Sequence, residues 1–166
     1  MKKFNVILLI LMATVFCLSC RGPQGPPGNA NVASSNITVR SNDWYWQEPS
    51  WRVDLDFNAI TPAINDHGAV LVYMKVSNTW RQLPMTYFYS EIDNNNDEHF
   101  YASTIEVSYY DKGVSLFWTE SDLSNIGAPN NAEFKVVVID ALYYSAHPEI
   151  NYADYEVVKT MFKLAD

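Results

Sequence analysis

Trp44, Tyr45, Trp46 and Trp51 crowd a short segment together with Asp43, Gln47 and Glu48. Aromatic faces beside carboxylates and amides stack on sugar rings and bond their hydroxyls, or anchor a protein partner. The same rings also suit a core or a covered sheet edge, because Trp is usually largely buried. Asp93, Asn95 and Asp97 alternate in the run Asp93-Asn94-Asn95-Asn96-Asp97-Glu98. That is how a calcium loop opens, with oxygen ligands suited to a hard cation. Glu98 stands where glycine should turn such a loop, and Thr104 where its bidentate glutamate should be. The stretch is therefore read as a polar turn between strands, and these three residues form only a weak calcium candidate. His67, His99 and His147 lie far apart and offer no ligand spacing, so no other metal is expected. There is no Gly-x-Ser-x-Gly and no glycine loop to cradle phosphate, in a chain with only six glycines. Asp54 and Asp56 are spaced like a carboxylate pair, but on a strand they share one face, where solvation explains them. Neither enzymatic activity nor a cofactor is expected.

The two cysteines, Cys17 and Cys20, are a separate case. A Cys-x-x-Cys redox pair needs a βαβ setting, whereas this pair closes an apolar leader. Lys2 and Lys3 precede residues 6–16, an apolar run interrupted only by Thr14. Its length fits a signal-peptide core and is short for a membrane span. The small residue Ser19 directly precedes Cys20, a layout that resembles a lipoprotein signal peptide, although Cys17 stands where leucine is usual. Cleavage before Cys17 would place Phe16 where a small residue is needed, so that frame is rejected. Residues 1–19 are accordingly the expected signal peptide, and Cys20 the expected lipidation site. The mature domain would then hold neither a free thiol nor a disulfide, which suits an exported protein. Each buried methylene of an acyl chain contributes about 0.8 kcal/mol, and stable anchoring takes more than one chain. Palmitate-type acylation is thus sufficient without a transmembrane helix.

Residues 21–28 read Arg-Gly-Pro-Gln-Gly-Pro-Pro-Gly, with glycine at 22, 25 and 28. This is the collagen period, with too few triplets for a triple helix. It is read as a stiff, extended spacer of about 25 Å, at about 3.1 Å per residue. A lipidation cysteine followed by Gly-Pro-x-Gly-Pro-x-Gly and Asn-Ala-Asn-Val resembles a group of small collagen-like lipoproteins of Bacteroidetes-type bacteria. The likeness covers residues 20–32, with a fainter echo at 154–159. It implies membrane attachment and a globular domain, and no defined activity. Surface-displayed lipoproteins of such bacteria often carry acidic residues just after the cysteine, and residues 21–30 have none. The expected location is the cell envelope, on the outer membrane, with the face unassigned.

Hydrophobic residues make up 48% of the 166-residue chain, enough to build a core. Loss of Lys2 and Lys3 with the signal peptide takes the formal charge from −8 to −10. An acidic surface of this kind disfavours nucleic acid and anionic headgroups. The partners expected are the membrane, through the anchor, and an envelope protein or glycan.

These side chains must be positioned mostly by strands. Val53, Leu55 and Phe57 alternate with Arg52, Asp54 and Asp56, giving a half-buried strand. Residues 69–76 are more continuously apolar and fit a strand covered on both faces. Residues 80–89 read as a strand that Pro84 pushes towards an edge or bulge. Ile105, Val107 and Tyr109 face Val114, Leu116 and Trp118 across Asp111-Lys112-Gly113, with Gly113 expected to take the left-handed turn position. Residues 134–141 suggest a central strand, and residues 37–40 and 44–46 edge pieces. At the end of the chain, Tyr155, Val158, Met161 and Phe162 share a helical face behind Asn151 as a possible cap. The pattern predicts an all-β, antiparallel β-sandwich, immunoglobulin-like or related, with a short C-terminal α-helix. The expected boundaries are a lipidated linker over residues 20–36 and a folded domain over 37–166.

Overall fold

The computed structural model describes residues 32–122 and 127–165. The signal segment, Cys20 and the Gly/Pro spacer lie outside the described residues. The domain is an antiparallel β-sandwich. A four-stranded sheet has the order β1-β9-β4-β5, and a five-stranded sheet has the order β2-β3-β8-β7-β6. The strands are β1 Val32–Val39, β2 Tyr45–Gln47, β3 Ser50–Asp56, β4 Ala69–Val76, β5 Thr79–Gln82, β6 Met85–Ile92, β7 Glu98–Tyr110, β8 Gly113–Glu120 and β9 Ala132–Ile139. Among the described residues, the short α-helix α1 Pro62–His67 joins β3 to β4, and α2 Ala141–Ala146 and α3 Tyr155–Phe162 follow β9. Among the described residues, no helix is long and apolar enough to cross a membrane.

Alternation explains the core. Val53 on β3, Ile105 on β7 and Leu116 and Trp118 on β8 point inward from one sheet. Val72 and Met74 on β4, with Phe134, Val136 and Val138 on β9, meet them from the other. Each fully buried side chain of this kind contributes roughly 1.5–3 kcal/mol relative to exposure. β4 and β9 are apolar on both faces because the four-stranded sheet is covered twice. Leu71, Tyr73, Val137 and Ile139 face outward and pack under Tyr155, Val158 and Phe162 of α3.

Several boundaries differ from expectation. The first strand begins at Val32, within the expected linker, not at 37. It is an edge strand whose exposed Ser34, Ser35 and Asn36 are ordered by backbone pairing with Val137, Val136 and Lys135 rather than by burial. Residues 80–89 are not one strand. β5 closes one edge of the four-stranded sheet, and the chain crosses at Leu83 and Pro84 into β6, the edge of the other sheet. Pro84 cannot donate to a ladder, and the crossing is fixed by the Leu83 amide bonding the Val72 carbonyl at 2.8 Å.

At the β7–β8 turn the left-handed residue is Lys112, at φ 66°, and not Gly113. Gly113 is needed for space instead: the Tyr110 ring occupies the position where a Cβ would stand. In α3 the cap is Asp154, whose carboxylate accepts the Glu156 amide at 3.0 Å. Asn151 bonds the Ala153 amide instead, and Met161 is 45% exposed, off the packed face. The β6–β7 hairpin carries its own apolar surface, with Phe88, Ile92 and Phe100 exposed on the outer face.

Candidate functional site

The four expected aromatic residues do not form one face. Trp44 is only 5% exposed and belongs to the core, edge-on to Trp118 and Phe134. Its Nε1 meets no acceptor among the described residues. Tyr45 and Trp46 are exposed on the short edge strand β2. Trp51, paired opposite Trp46, turns inward, and the two rings stand at 67° with centroids 5.4 Å apart. A flat stacking platform requires coplanar rings, and this register does not supply them. The Tyr45 hydroxyl donates to Asp54 at 2.6 Å, and Arg52 pairs with the same carboxylate at 2.8 Å while lying over Phe117. Asp54 also accepts from Ser115. Partial burial pushes the Asp54 carboxyl up, but bonds from Ser115, Tyr45 and Arg52 outweigh it and hold the group below the usual range. Asp56 shares the outer face of β3 without joining this cluster.

Asp93, Asn95 and Asp97 form the β6–β7 turn. The Asp93 carboxylate accepts the backbone amides of Asn95 at 2.8 Å and Asp97 at 2.9 Å, and it approaches His99 at 3.3 Å. The Asp97 amide is the main cause that lowers the Asp93 carboxyl. Its oxygens are thus spent on closing the turn, with Asn96 at φ 68° completing it. Among the described residues, no group of three or more His, Cys, Asp or Glu gathers as a metal centre.

A walled concavity lies elsewhere, at one end of the sandwich. It is a cleft of about 420 Å³ between the sheets, lined by Trp51, Met74, Tyr87, Tyr89, Trp118 and Glu120 and closed by residues 127–132. That volume falls within the roughly 300–1,000 Å³ typical of small-ligand sites. Glu120 is 8% exposed. It follows Val114, Leu116 and Trp118 in the inward register of β8, so the strand itself drives a carboxylate into an apolar interior. Unpaired, such a group would be costly. Three donors satisfy it: Trp118 Nε1 at 2.7 Å, Ser103 Oγ at 2.8 Å and the Tyr89 hydroxyl at 3.1 Å. Burial, then the bond to Glu120, pushes the Tyr89 phenol up to about 12. Burial likewise raises Tyr87, whose ring stands at 81° to Trp118. Sequence reasoning missed Glu120. The signal was available in the alternation, which continued two residues past Trp118 to a charged residue.

Lys135 was also missed. It interrupts the apolar run of β9 and is 1% exposed beneath α3. Its ammonium donates to the Tyr155 hydroxyl and to the Ala165 carbonyl, and lies 4.9 Å from the Trp80 ring centroid. This arrangement fastens the end of the chain to the sheet.

The ladder also orients the molecule. Val39 pairs with Ala132 at the cleft, and Val32 with Ile139 at the other end of the strand. The seven steps from Val32 to Val39, at about 3.4 Å each, place the start of β1 about 24 Å from the cleft end. Comparison with protein-family models, with curated proteins and with solved structures returns no match.

Proposed function

We propose that this chain is a lipid-anchored module of the cell envelope, attached through Cys20 to the outer membrane, with an interaction role carried by the cleft end of its sandwich. The carrying observation is the opposition of the two ends. The tether enters at Val32, whereas the cleft opens at Ala132, at the far end of the same β1–β9 ladder. An anchored domain of this build presents this aromatic, carboxylate-bearing cleft away from its own membrane. Residues 20–28 support the anchor: Cys20 follows the small Ser19 and precedes a Gly/Pro spacer. The test is expression of the full chain in a Gram-negative host with an alkynyl palmitate label. Label and membrane fractionation are expected in the wild type and absent in Cys20→Ala. Equal membrane recovery of both chains, with no label in either, would sink the anchor.

A second reading is glycan binding at the exposed Trp46 ring on edge strand β2, with Tyr45 exposed on the opposite face of the same strand. Saturable binding of envelope polysaccharides, lost in Trp46→Ala and retained in Glu120→Gln, would support it over the cleft.

A further inference from the structure

We infer that the cleft between the sheets is a site for an alkylammonium group, held by the Glu120 carboxylate within a ring of aromatic side chains. This deepens the interaction role proposed above and rests on it.

The lining decides the charge of the ligand. Among the described residues Glu120 is the only charged group lining the cleft, and no Lys, Arg or His forms an ion pair with it. Among the described residues, every bond it makes is donated to it by a neutral group, so its oxygens are positioned with no cation paired to them. Oε1 accepts from Trp118 and Oε2 from Tyr89, and the single Ser103 hydroxyl proton is shared, with its oxygen 2.8 Å from both. A carboxylate has about four lone-pair sites, so a further donor is taken up on the oxygen that the shared Ser103 proton releases. The surrounding rings favour the same partner, because an aromatic face attracts a cation, most strongly when water is excluded. Trp51, Tyr87, Tyr89 and Trp118 all line this space.

The geometry separates an organic cation from its rivals. A hard metal ion takes six or more oxygen ligands, and this cleft offers one carboxylate. A sugar stacks on a flat ring face, whereas Tyr87 stands nearly perpendicular to Trp118 and leans 36° from Tyr89. A compact ammonium on a methylene stem fits a walled cleft of about 420 Å³ with one acid in its wall. The Asn130 and Asn131 side of the cleft remains for polar groups further along the ligand.

The test uses the full chain in detergent. Trp51 and Trp118 line the site, so tryptophan emission reports occupancy. The probes are cadaverine, its neutral counterpart 1,5-pentanediol, N-acetyl-lysine amide, a peptide with one internal lysine, and methyl β-glucoside. Saturable binding of cadaverine with the diol at least about tenfold weaker is expected, as is a similar loss in Glu120→Gln. Lysine peptide binding more tightly than the amide identifies a protein-borne amine, and equal or weaker binding a free one; both support the site. Equal binding of diamine and diol, or saturable glucoside with no amine, overturns the ammonium assignment and leaves the interaction role standing. No saturable probe at all, in a chain that still takes up palmitate, overturns both the site and the interaction role while leaving the anchor. Should Glu120→Gln fail to fold, the comparison of diamine with diol on the wild type decides alone.

Discussion

Glu120 accepts the indole proton of Trp118 at 2.7 Å, from a residue two positions earlier on the same strand and the same face. The inward register that makes Trp118 a core residue therefore also supplies the donor that makes a buried carboxylate tolerable. Trp118→Phe keeps an aromatic ring and removes only that donor and some volume. Leaving a buried acceptor short of one bond costs about 1–3 kcal/mol. The variant should melt earlier and at lower urea than the wild type, and unchanged stability would show that the indole bond contributes nothing.

Stability in acid should depend on Asp54. Its carboxyl sits below the ordinary range in the fold, so its contribution is complete above the unfolded value of about 4 and is lost as pH falls through the folded value. Asp93 acts in the same direction. Urea midpoints measured from pH 6 down to pH 2 should fall less steeply in Asp54→Asn than in the wild type. Parallel curves would remove Asp54 from the acid response.

Gly68 and Gly113 should respond differently to alanine. A Cβ on Gly68 would stand 2.7 Å from the Ile139 carbonyl oxygen, a backbone atom of the central strand β9. Backbone yields poorly, and overpacking of this kind costs about 1–3 kcal/mol. At Gly113 the obstacle is the far end of the Tyr110 side chain, which is 41% exposed and free to swing outward. Thermal melts should therefore place Gly68→Ala below Gly113→Ala, and the reverse order would contradict the geometry at Gly68.

Lys135→Ala removes a buried ammonium and the stem that fills the space between β9 and α3. A large-to-small change at a fully buried position costs about 2–5 kcal/mol. Hydrogen exchange should quicken in α3 more than in β7 or β8, because Tyr155 and Ala165 lose their donor while the inter-sheet core is untouched. Uniform acceleration across the domain would place Lys135 in the global fold rather than in the docking of the helix.

The strands were readable wherever one face is buried and the other wet. Val53 and Leu55 against Arg52 and Asp54, and the hairpin from Ile105 to Trp118, follow from side-chain alternation alone. The start at Val32 was not readable, because Ser34, Ser35 and Asn36 join the sheet by backbone bonds that carry no compositional mark. Trp44 and Trp46 are the same residue type two positions apart, yet one is core and the other surface. Their position along the edge separates them: Trp44 lies over Trp118 and Phe134, whereas Trp46 sits further out on edge strand β2 against Trp51. The β5–β6 break is a tertiary event at Pro84, which the sequence marked as an irregularity without showing that the chain changes sheets there. Glu120 was hidden for a related reason: its significance lies in facing inward, not in any spacing to another acid.

Mechanically, the crossing at Leu83 and Pro84 is a seam. It joins the outer edges of both sheets midway along their length, with Leu83 pinned to Val72. Between the seam and the far end, the sheets cannot part on that side without breaking the Leu83 bond or pulling the crossing straight. Beyond the seam, towards the cleft, β5 and β6 run on in separate sheets as unstitched margins. On that side, widening of the cleft is thus confined to the splay of those margins.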